Sequence, residues 1–252
     1  MSAAPRVCVD RVVSRSFAPE RSDARRALRA VGSHVARMAL PRLSLWENGR
    51  ELRCRFLEGS AKQRRRVEDK AHIWEDHANI KFRFVASGDA EIRIAFAPDE
   101  GSWSAVGNEA LVASYFPRHQ PTMNFGWLTD DSPDDDYSRV VLHEFGHALG
   151  CIHEHSSPAA PMQWNKAKVY AYYRGAPNYW PKADVDSNIF ERYSKEQTNF
   201  SEFDPDSIML YEFPPEFFVN SGGTRANKAL SKTDKQFIAR TYPRPARRGA
   251  RG

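Results

Sequence analysis

The chain has 252 residues, of which 41% are hydrophobic and 12% aromatic, so it can bury the core of one large domain or two small ones. No run approaches the roughly eighteen apolar residues of a membrane-spanning helix, and the N-terminus lacks the unbroken apolar stretch of a signal peptide. We therefore expect no membrane partner and a protein that is cytoplasmic or secreted by a non-classical route.

The net charge of +5 is unevenly distributed. Residues 1–66 contain 16 Lys and Arg against 6 Asp and Glu, and residues 244–252 add four Arg and no acid. Basic ends can bind nucleic acid or other polyanions, but these carry no interleaved aromatics and no recognised nucleic-acid motif. We therefore predict solvated basic ends and no specific nucleic-acid partner.

Three widely spaced cysteines, Cys8, Cys54 and Cys151, form neither a disulfide framework nor a CxxC metal motif. Reduced thiols are expected, as in an intracellular protein or one that does not depend on disulfides. Residues 1–40 are rich in Arg and Ala without strong periodicity, although residues 23–38 could form a helix. We interpret residues 1–40 as a basic extension ahead of the main domain.

A regular pattern begins with "LRCRFL", where apolar and charged residues alternate as in a half-buried strand. Ser60 and Gln63 then form a capping box. The helix that it starts carries an apolar stripe at helical spacing, namely Val67, Ala71, Trp74 and Ala78. Further β-rich runs are "IKFRFVA", "AEIRIAF", "ALVASYF" and "TMNFGWL". Five strand candidates with one early helix predict an α+β domain built on a mixed sheet.

The segment "DDSPDDDYSRVVLHEFGHALG" is predicted to be a second helix. Ser132 suits the N-cap, Pro133 suits the first helical position, and the three aspartates from Asp134 favour the positive end of the helix dipole. His143 and His147 therefore lie one turn apart on the same helix.

The part of the chain after Pro158 is aromatic and rich in Pro and Asn, and its weak periodicity predicts loops and short turns, including "YAYYRGAPNYW". Regular structure returns at "LSKTDKQFIARTY", where Ser231 and Asp234 form a second capping box. A C-terminal helix is predicted to close the domain.

The stretch "HEFGHALGCIH" fills every fixed position of the pattern His-Glu-x-x-His-x-x-Gly-x-x-His. Residues four apart on a helix project from one side, so His143 and His147 can bind one cation. Gly150 allows a sharp turn that returns His153 as a third ligand. Three neutral ligands leave a fourth zinc position for water, whose proton Glu144 can accept. The pattern predicts a hydrolase with one zinc ion.

This stretch resembles the metzincin metalloproteases, and Glu154, directly after the third histidine, resembles the astacin family within them. Downstream, "DSIMLY" is similar to the astacin Met-turn. The resemblance implies that Met209 lies beneath the metal. It also implies that Tyr211 ligates zinc in the free enzyme and stabilises the oxyanion during turnover.

The resemblance covers about residues 43–242 and implies a metzincin-like zinc protease fold. That fold has a five-stranded mixed twisted sheet with the active-site helix, then an irregular C-terminal subdomain ending in a helix. It also implies that "ALVASYF" is the antiparallel edge strand that pairs with an extended polypeptide substrate. We therefore divide the chain into three segments: a basic extension over 1–40 that could be a propeptide, an astacin-like catalytic domain over 41–243, and a basic flexible tail over 244–252.

Three features depart from typical astacins. The four-cysteine disulfide set is missing, and "HSSPAAP" follows the His-Glu pair where the family continues with Arg and acidic residues. In mature astacins the glutamate corresponding to Glu154 helps to anchor a processed N-terminus, whereas here residues 1–40 precede the catalytic domain. Glu154 is therefore predicted to be structural, and His155 to be a partly exposed bystander.

The predicted function is a zinc-dependent endopeptidase that acts on polypeptides as a monomer. The alternative is a catalytically weak or inactive zinc-binding interaction module whose basic ends recruit a partner, and the presence of Glu144 argues against it. A matrixin-like enzyme is a third possibility, which Glu154 and "SIMLY" disfavour. "PRVCVD" around Cys8 faintly resembles the cysteine switch of matrixin propeptides, but its spacing does not match.

Overall fold

The computed structural model describes residues 40–41, 44–175, 179–192, 198–199, 202–220 and 222–245. Nearly all of the basic extension, with Cys8 and the possible helix over 23–38, and most of the basic tail lie outside the described residues. Within the described part of the chain, no helix is both long and apolar enough to cross a membrane.

Five strands form one sheet in the order β2-β1-β3-β5-β4. The first four of these pair in parallel, and β4 runs antiparallel to β5 at one edge. The strands are β1 Glu51–Phe56, β2 Lys81–Phe84, β3 Ile92–Ala95, β4 Ser102–Ser104 and β5 Met123–Phe125. The predicted five-stranded mixed sheet is therefore confirmed. A separate two-residue ladder pairs Leu40–Pro41 with Thr198–Asn199.

The predicted edge strand "ALVASYF" is wrong. Gly107–Leu111 form a 3-10 helix, and the antiparallel edge is β4, where Trp103 pairs with Asn124. Gly107, three residues after the end of β4, turns the chain with a φ of 52°. Burial does not alternate over residues 110–116 as it would in a half-buried strand. Ala110 and Phe116 at the two ends are buried, whereas Leu111 and Tyr115 between them are exposed.

Two helices cover the sheet. Helix α1, Ala61–Ala71, has the predicted capping box of Ser60 and Gln63, and helix α2 spans Asp134–Ala148. The N-cap of α2 is Pro133, not the predicted Ser132, whose hydroxyl instead accepts a hydrogen bond from the Thr129 amide at 2.9 Å.

Aromatic side chains join α2 to the rest of the core. The Phe145 ring packs edge-on against Phe82 of β2, with centroids 4.9 Å apart. The indole of Trp74, from the 3-10 turn that continues α1, donates a hydrogen bond to the Leu142 carbonyl at 3.0 Å. These buried contacts fix the height and rotation of α2 over the sheet, and therefore the direction of its histidines.

The C-terminal part is more helical than predicted. Lys166–Arg174 form helix α3, which overturns the loop predicted for "YAYYRGAPNYW" up to Arg174. Val169 and Tyr173, four residues apart, are its buried face, and the half-buried Tyr170 and Tyr172 beside them conceal that spacing in the sequence. A short helix α4, Lys182–Val185, continues into a π-helical turn, Asp186–Phe190. The predicted closing helix is α5, Lys232–Thr241, with its capping box intact.

Candidate metal centre

Three histidines converge at the C-terminal half of α2. The Nε2 atom of His147 lies 3.1 Å from Nε2 of His143 and 3.0 Å from Nε2 of His153. All three side chains are buried, and His143 retains 7% exposure. The structure thus brings together the three residues that the spacing selects as metal ligands.

Backbone carbonyls determine which nitrogens face the centre. The Nδ1 atom of His143 lies 2.8 Å from the Ile208 carbonyl oxygen, and Nδ1 of His147 lies 2.8 Å from that of Cys151. A carbonyl oxygen only accepts, so both Nδ1 atoms carry the proton and both neutral rings present an Nε2 lone pair inward. Such partners orient ligand histidines and increase their basicity.

The chain reaches His153 through a turn with a left-handed glycine. Gly150 has a φ of 96°, and its amide donates to the His147 carbonyl at 2.7 Å. The last carbonyls of α2 are satisfied from outside the helix, since the Trp46 indole donates to Ala148 O at 2.7 Å and the Tyr242 hydroxyl donates to Leu149 O at 2.9 Å. These bonds hold the helix end from which the third histidine returns.

The histidine set fits one zinc ion. The Nε2 atoms of His143 and His147 lie 3.1 Å apart, and each carries a lone pair. Two acceptors cannot hydrogen-bond to each other, so this arrangement needs a cation between them. Nitrogens at zinc–ligand distances of about 2.0–2.1 Å and tetrahedral angles lie about 3.4 Å apart, close to the separations seen here. Burial, with His147 and His155 nearby, lowers the pKa of His153 well below its usual value, which favours the neutral ligand form. Zinc is the cofactor that this donor set selects.

Glu144 follows the first ligand on α2 and is buried. Its side chain lines a pocket together with His143 and Tyr211. The other residues around this pocket are Trp127, Arg139, Val140, Ile208, Leu210, Glu212 and Ala226. A carboxylate in a pocket beside the ligand group is in the right place to exchange protons with a bound reactant.

Tyr211, more than fifty residues further along the chain, reaches the same centre. Its hydroxyl contacts Nε2 of His153, and its ring centroid lies 4.1 Å from the His153 ring and 5.4 Å from the His143 ring. The hydroxyl therefore points at the atoms that would hold the metal.

Met209 lies beneath the ligand helix. Its side chain is fully buried, and its carbonyl accepts a hydrogen bond from the Glu154 amide at 3.0 Å. A Cβ atom built on Gly146 would lie only 2.4 Å from the Met209 sulfur, so the helix and the methionine are in close contact because residue 146 is glycine.

Glu154 is buried, and its Oε1 accepts a hydrogen bond from the Asp204 amide at 3.0 Å. Burial raises the pKa of this carboxyl to about 8. Asp234 of α5, also buried, accepts from the Ile208 amide at 2.9 Å and from the Ser207 hydroxyl at 2.8 Å. Since the Ile208 carbonyl accepts from His143, α5 supports the centre through this turn.

His155 is not the partly exposed bystander predicted from the sequence. It is 1% exposed, and its ring stacks on His153 with centroids 5.2 Å apart and planes 23° apart. No motif marks this residue, because its environment comes from aromatic residues distant in the sequence. Only proximity to the ligands could have suggested it.

The fold and the three-histidine centre are those of a zinc metalloprotease of the metzincin class. The matrixin family model matches residues 46–187. The chain belongs to the matrixin family.

Two curated relatives of this family type match with low identity. Matrix metalloproteinase-2 of Drosophila melanogaster is 29% identical over 124 residues, which is 44% of this chain and 16% of the relative. Neutrophil collagenase of Homo sapiens is 32% identical over 139 residues, which is 50% of this chain and 28% of the relative. The chain thus spans less than a third of the length of these relatives.

Two solved structures resemble the whole domain. Myroilysin is 46% identical with a TM-score of 0.79, covering 82% of this chain and 100% of that one. High choriolytic enzyme 1, a hatching enzyme zinc-protease from Oryzias latipes, has a TM-score of 0.51 at 16% identity, covering 82% and 98%. The second likeness shows the fold alone.

The matrixin match confirms the metzincin class. It also shows that the expectation based on Glu154 and "SIMLY", which disfavoured a matrixin-like chain, is wrong. The matched range ends before Met209 and Tyr211, so these residues do not contribute to it. The zinc motif is shared between branches of the class, which is why it could not by itself distinguish them.

Proposed function

We propose that this protein is a zinc-dependent endopeptidase that hydrolyses peptide bonds of polypeptide substrates. The observation that carries the proposal is the convergence of three buried imidazoles, two of them with their inward lone pairs fixed by Nδ1 bonds to carbonyls. Glu144 beside them and the family membership support hydrolysis over simple metal storage.

Each residue of the site has a proposed task. His143, His147 and His153 hold the ion, which when bound supplies a Lewis acid that polarises the carbonyl and activates water. Glu144 accepts the proton of the attacking water as general base and passes it to the leaving amine as general acid. Tyr211 donates its hydroxyl hydrogen bond to the oxyanion.

We propose an astacin-like mode of action within the metzincin class. Tyr211 touches the ligand group, and Met209 packs under α2 in the way expected of a Met-turn. Residues 207–211 are all buried and form one short turn, which carries the side chains of both Met209 and Tyr211. A tyrosine that can leave the metal would serve both as ligand and as oxyanion donor.

The substrate is proposed to lie extended along β4. This antiparallel edge strand replaces the "ALVASYF" strand inferred from the sequence, and α2 lies close beside it in the structure. Backbone pairing with an edge strand recognises polypeptides of many sequences. Pocket residues such as Arg139 would then select among side chains.

Metal removal tests the function as a whole. Purified full-length protein is expected to contain one zinc ion per chain and to cleave casein. A chelator should abolish cleavage, and added zinc should restore it. Zinc content by elemental analysis and fragments by mass spectrometry are the measurements. One tightly bound zinc without cleavage of any peptide library would instead support the inactive binding module.

Replacing Gly146 by Ala tests the contact between α2 and Met209. In a helix interior this change normally stabilises by about 1 kcal/mol. Here the added methyl meets the Met209 sulfur at 2.4 Å, so we expect a net loss of about 1–3 kcal/mol in the free energy of unfolding. Urea denaturation measures it, and Gly222→Ala, with nothing within 4 Å of its Cβ, is the matched control.

The penalty should shrink when Met209 is first replaced by Ala, because the space for the new methyl then exists. An equal penalty in both backgrounds would place the cause elsewhere in the helix.

A further inference from the structure

His155 lies directly behind Tyr211. Its ring centroid is 5.0 Å from that of Tyr211, with planes 34° apart, and 5.2 Å from that of His153. One imidazole therefore backs both the tyrosine and the third histidine. The ring contact with His153 is stacked and the one with Tyr211 is tilted, and both leave little room for the two rings to shift toward His155.

The position of His155 is itself fixed from the far side. Phe213 packs edge-on against it at 5.1 Å, and Trp164 does so at 6.2 Å. Its Nε2 lies 3.2 Å from the Asn188 carbonyl oxygen, which only accepts, so Nε2 carries the proton and donates. Aromatic packing and this hydrogen bond leave the ring little freedom to move.

The Tyr211 ring is consequently enclosed. His143 and His153 lie on the metal side, His155 lies behind, and Phe213 stands edge-on at 5.5 Å. Truncating His155 would leave a void the size of an imidazole beside the tyrosine, and the ring could relax into it. The hydroxyl of Tyr211 would then no longer be held at the ligand group.

We propose that His155 is a positioning residue that holds the Tyr211 ring beside the metal centre, so that the hydroxyl stays within reach of the oxyanion. His155 is not among the three converging histidines that could hold the ion, and it acts through the ring that it supports. This inference rests on the proposed function, in which Tyr211 stabilises the oxyanion. It assigns a role in the reaction to a residue outside the zinc motif.

A double-mutant cycle on the full-length zinc protein tests the proposal. His155→Ala and His155→Phe are each made with Tyr211 intact and with Tyr211→Phe. Steady-state cleavage of a fluorogenic peptide gives kcat and KM, elemental analysis gives zinc content, and thermal denaturation shows whether each variant is folded. His155→Phe is the matched control, because it keeps a flat ring and loses the Asn188 bond.

With Tyr211 intact, His155→Ala should lower kcat about tenfold or more at nearly constant KM, since misplacing an oriented group affects the transition state. His155→Phe should change kcat by less than about threefold. In the Tyr211→Phe background, His155→Ala should have almost no further effect, because no hydroxyl is left to position. Zinc content should stay at one ion per chain throughout.

Four outcomes would overturn the proposal. Equal losses from His155→Ala in both backgrounds would mean that His155 supports the fold or His153 alone, and loss of zinc would point to the same role. An unchanged kcat for Tyr211→Phe would mean that there is no hydroxyl function to position, while the endopeptidase proposal would still stand. A wild-type protein without peptidase activity would contradict both the proposed function and this inference, and only that result would do so.

Discussion

Replacing Glu144 by Gln is expected to lower kcat for casein or peptide cleavage by about 10³-fold, within the range for general acid–base groups. The amide keeps the shape of the side chain but cannot accept a proton from water or return one to the amine. The carboxylate sits in the pocket that His143 and Tyr211 also line, and it is the carboxylate that α2 contributes there, whereas Glu212 of the same pocket is exposed and lies outside α2. The change should leave KM nearly constant.

The variant must still bind zinc for this result to be meaningful. Glu144 is not one of the three ligands that converge, so zinc content should remain at one ion per chain. Glu216→Gln is a matched control, because Glu216 is exposed on a separate turn, Pro215–Phe217. A Glu144→Gln protein that cleaves at the wild-type rate would show that another group moves the proton.

The parts of the molecule that follow from local spacing were predictable. The two histidines on α2, the glycine turn and the capping boxes of α1 and α5 each depend on residues within one or two turns of each other. Helical periodicity and capping chemistry determine such features without reference to the remainder of the chain. The three ligand positions belong to this group, and so does the placement of Glu144 beside them.

The parts that depend on distant contacts were not predictable. The edge strand β4 is three residues long and is recognised only by its pairing with β5. The role of Asp234 at the turn before Met209, and the support of the α2 terminus by Trp46 and Tyr242, join segments far apart in the sequence. One sequence contains no signal for such pairings.

His155 shows the same limit inside the motif region. By position it is simply the second residue after a ligand, and a histidine there is usually a polar surface residue. Its burial comes from Trp164 and Phe213, which fold back over it from the C-terminal subdomain. The part of the chain after Pro158, whose sequence pattern is the weakest, therefore supplies the side chains that enclose His155 beside the metal centre.

Replacing Gly107 by Ala is expected to destabilise the fold by about 3–5 kcal/mol, combining left-handed backbone strain with a steric clash. Gly107 has a φ of 52°, and a Cβ there would lie 1.7 Å from the Ser44 carbonyl oxygen and 3.3 Å from the Gly150 Cα. The clash is with backbone atoms, which cannot rotate away. Gly49→Ala is the matched control, because its φ is 85° but its Cβ would meet only the Asn79 side chain, at 3.4 Å.

The damage should reach the metal centre. The Ser44 carbonyl accepts the Asn108 amide at 2.9 Å, and two residues on, the Trp46 indole binds the Ala148 carbonyl at the end of α2. Displacing Ser44 therefore loosens the helix end and the Gly150 turn that returns His153. For Gly107→Ala we expect weaker zinc retention against a competing chelator and a lower midpoint of urea denaturation. Gly49→Ala should lower the free energy of unfolding by only about 1–2 kcal/mol and should keep its zinc. Equal losses for the two variants would mean that backbone strain alone, and not the contact with Ser44, controls this corner of the site.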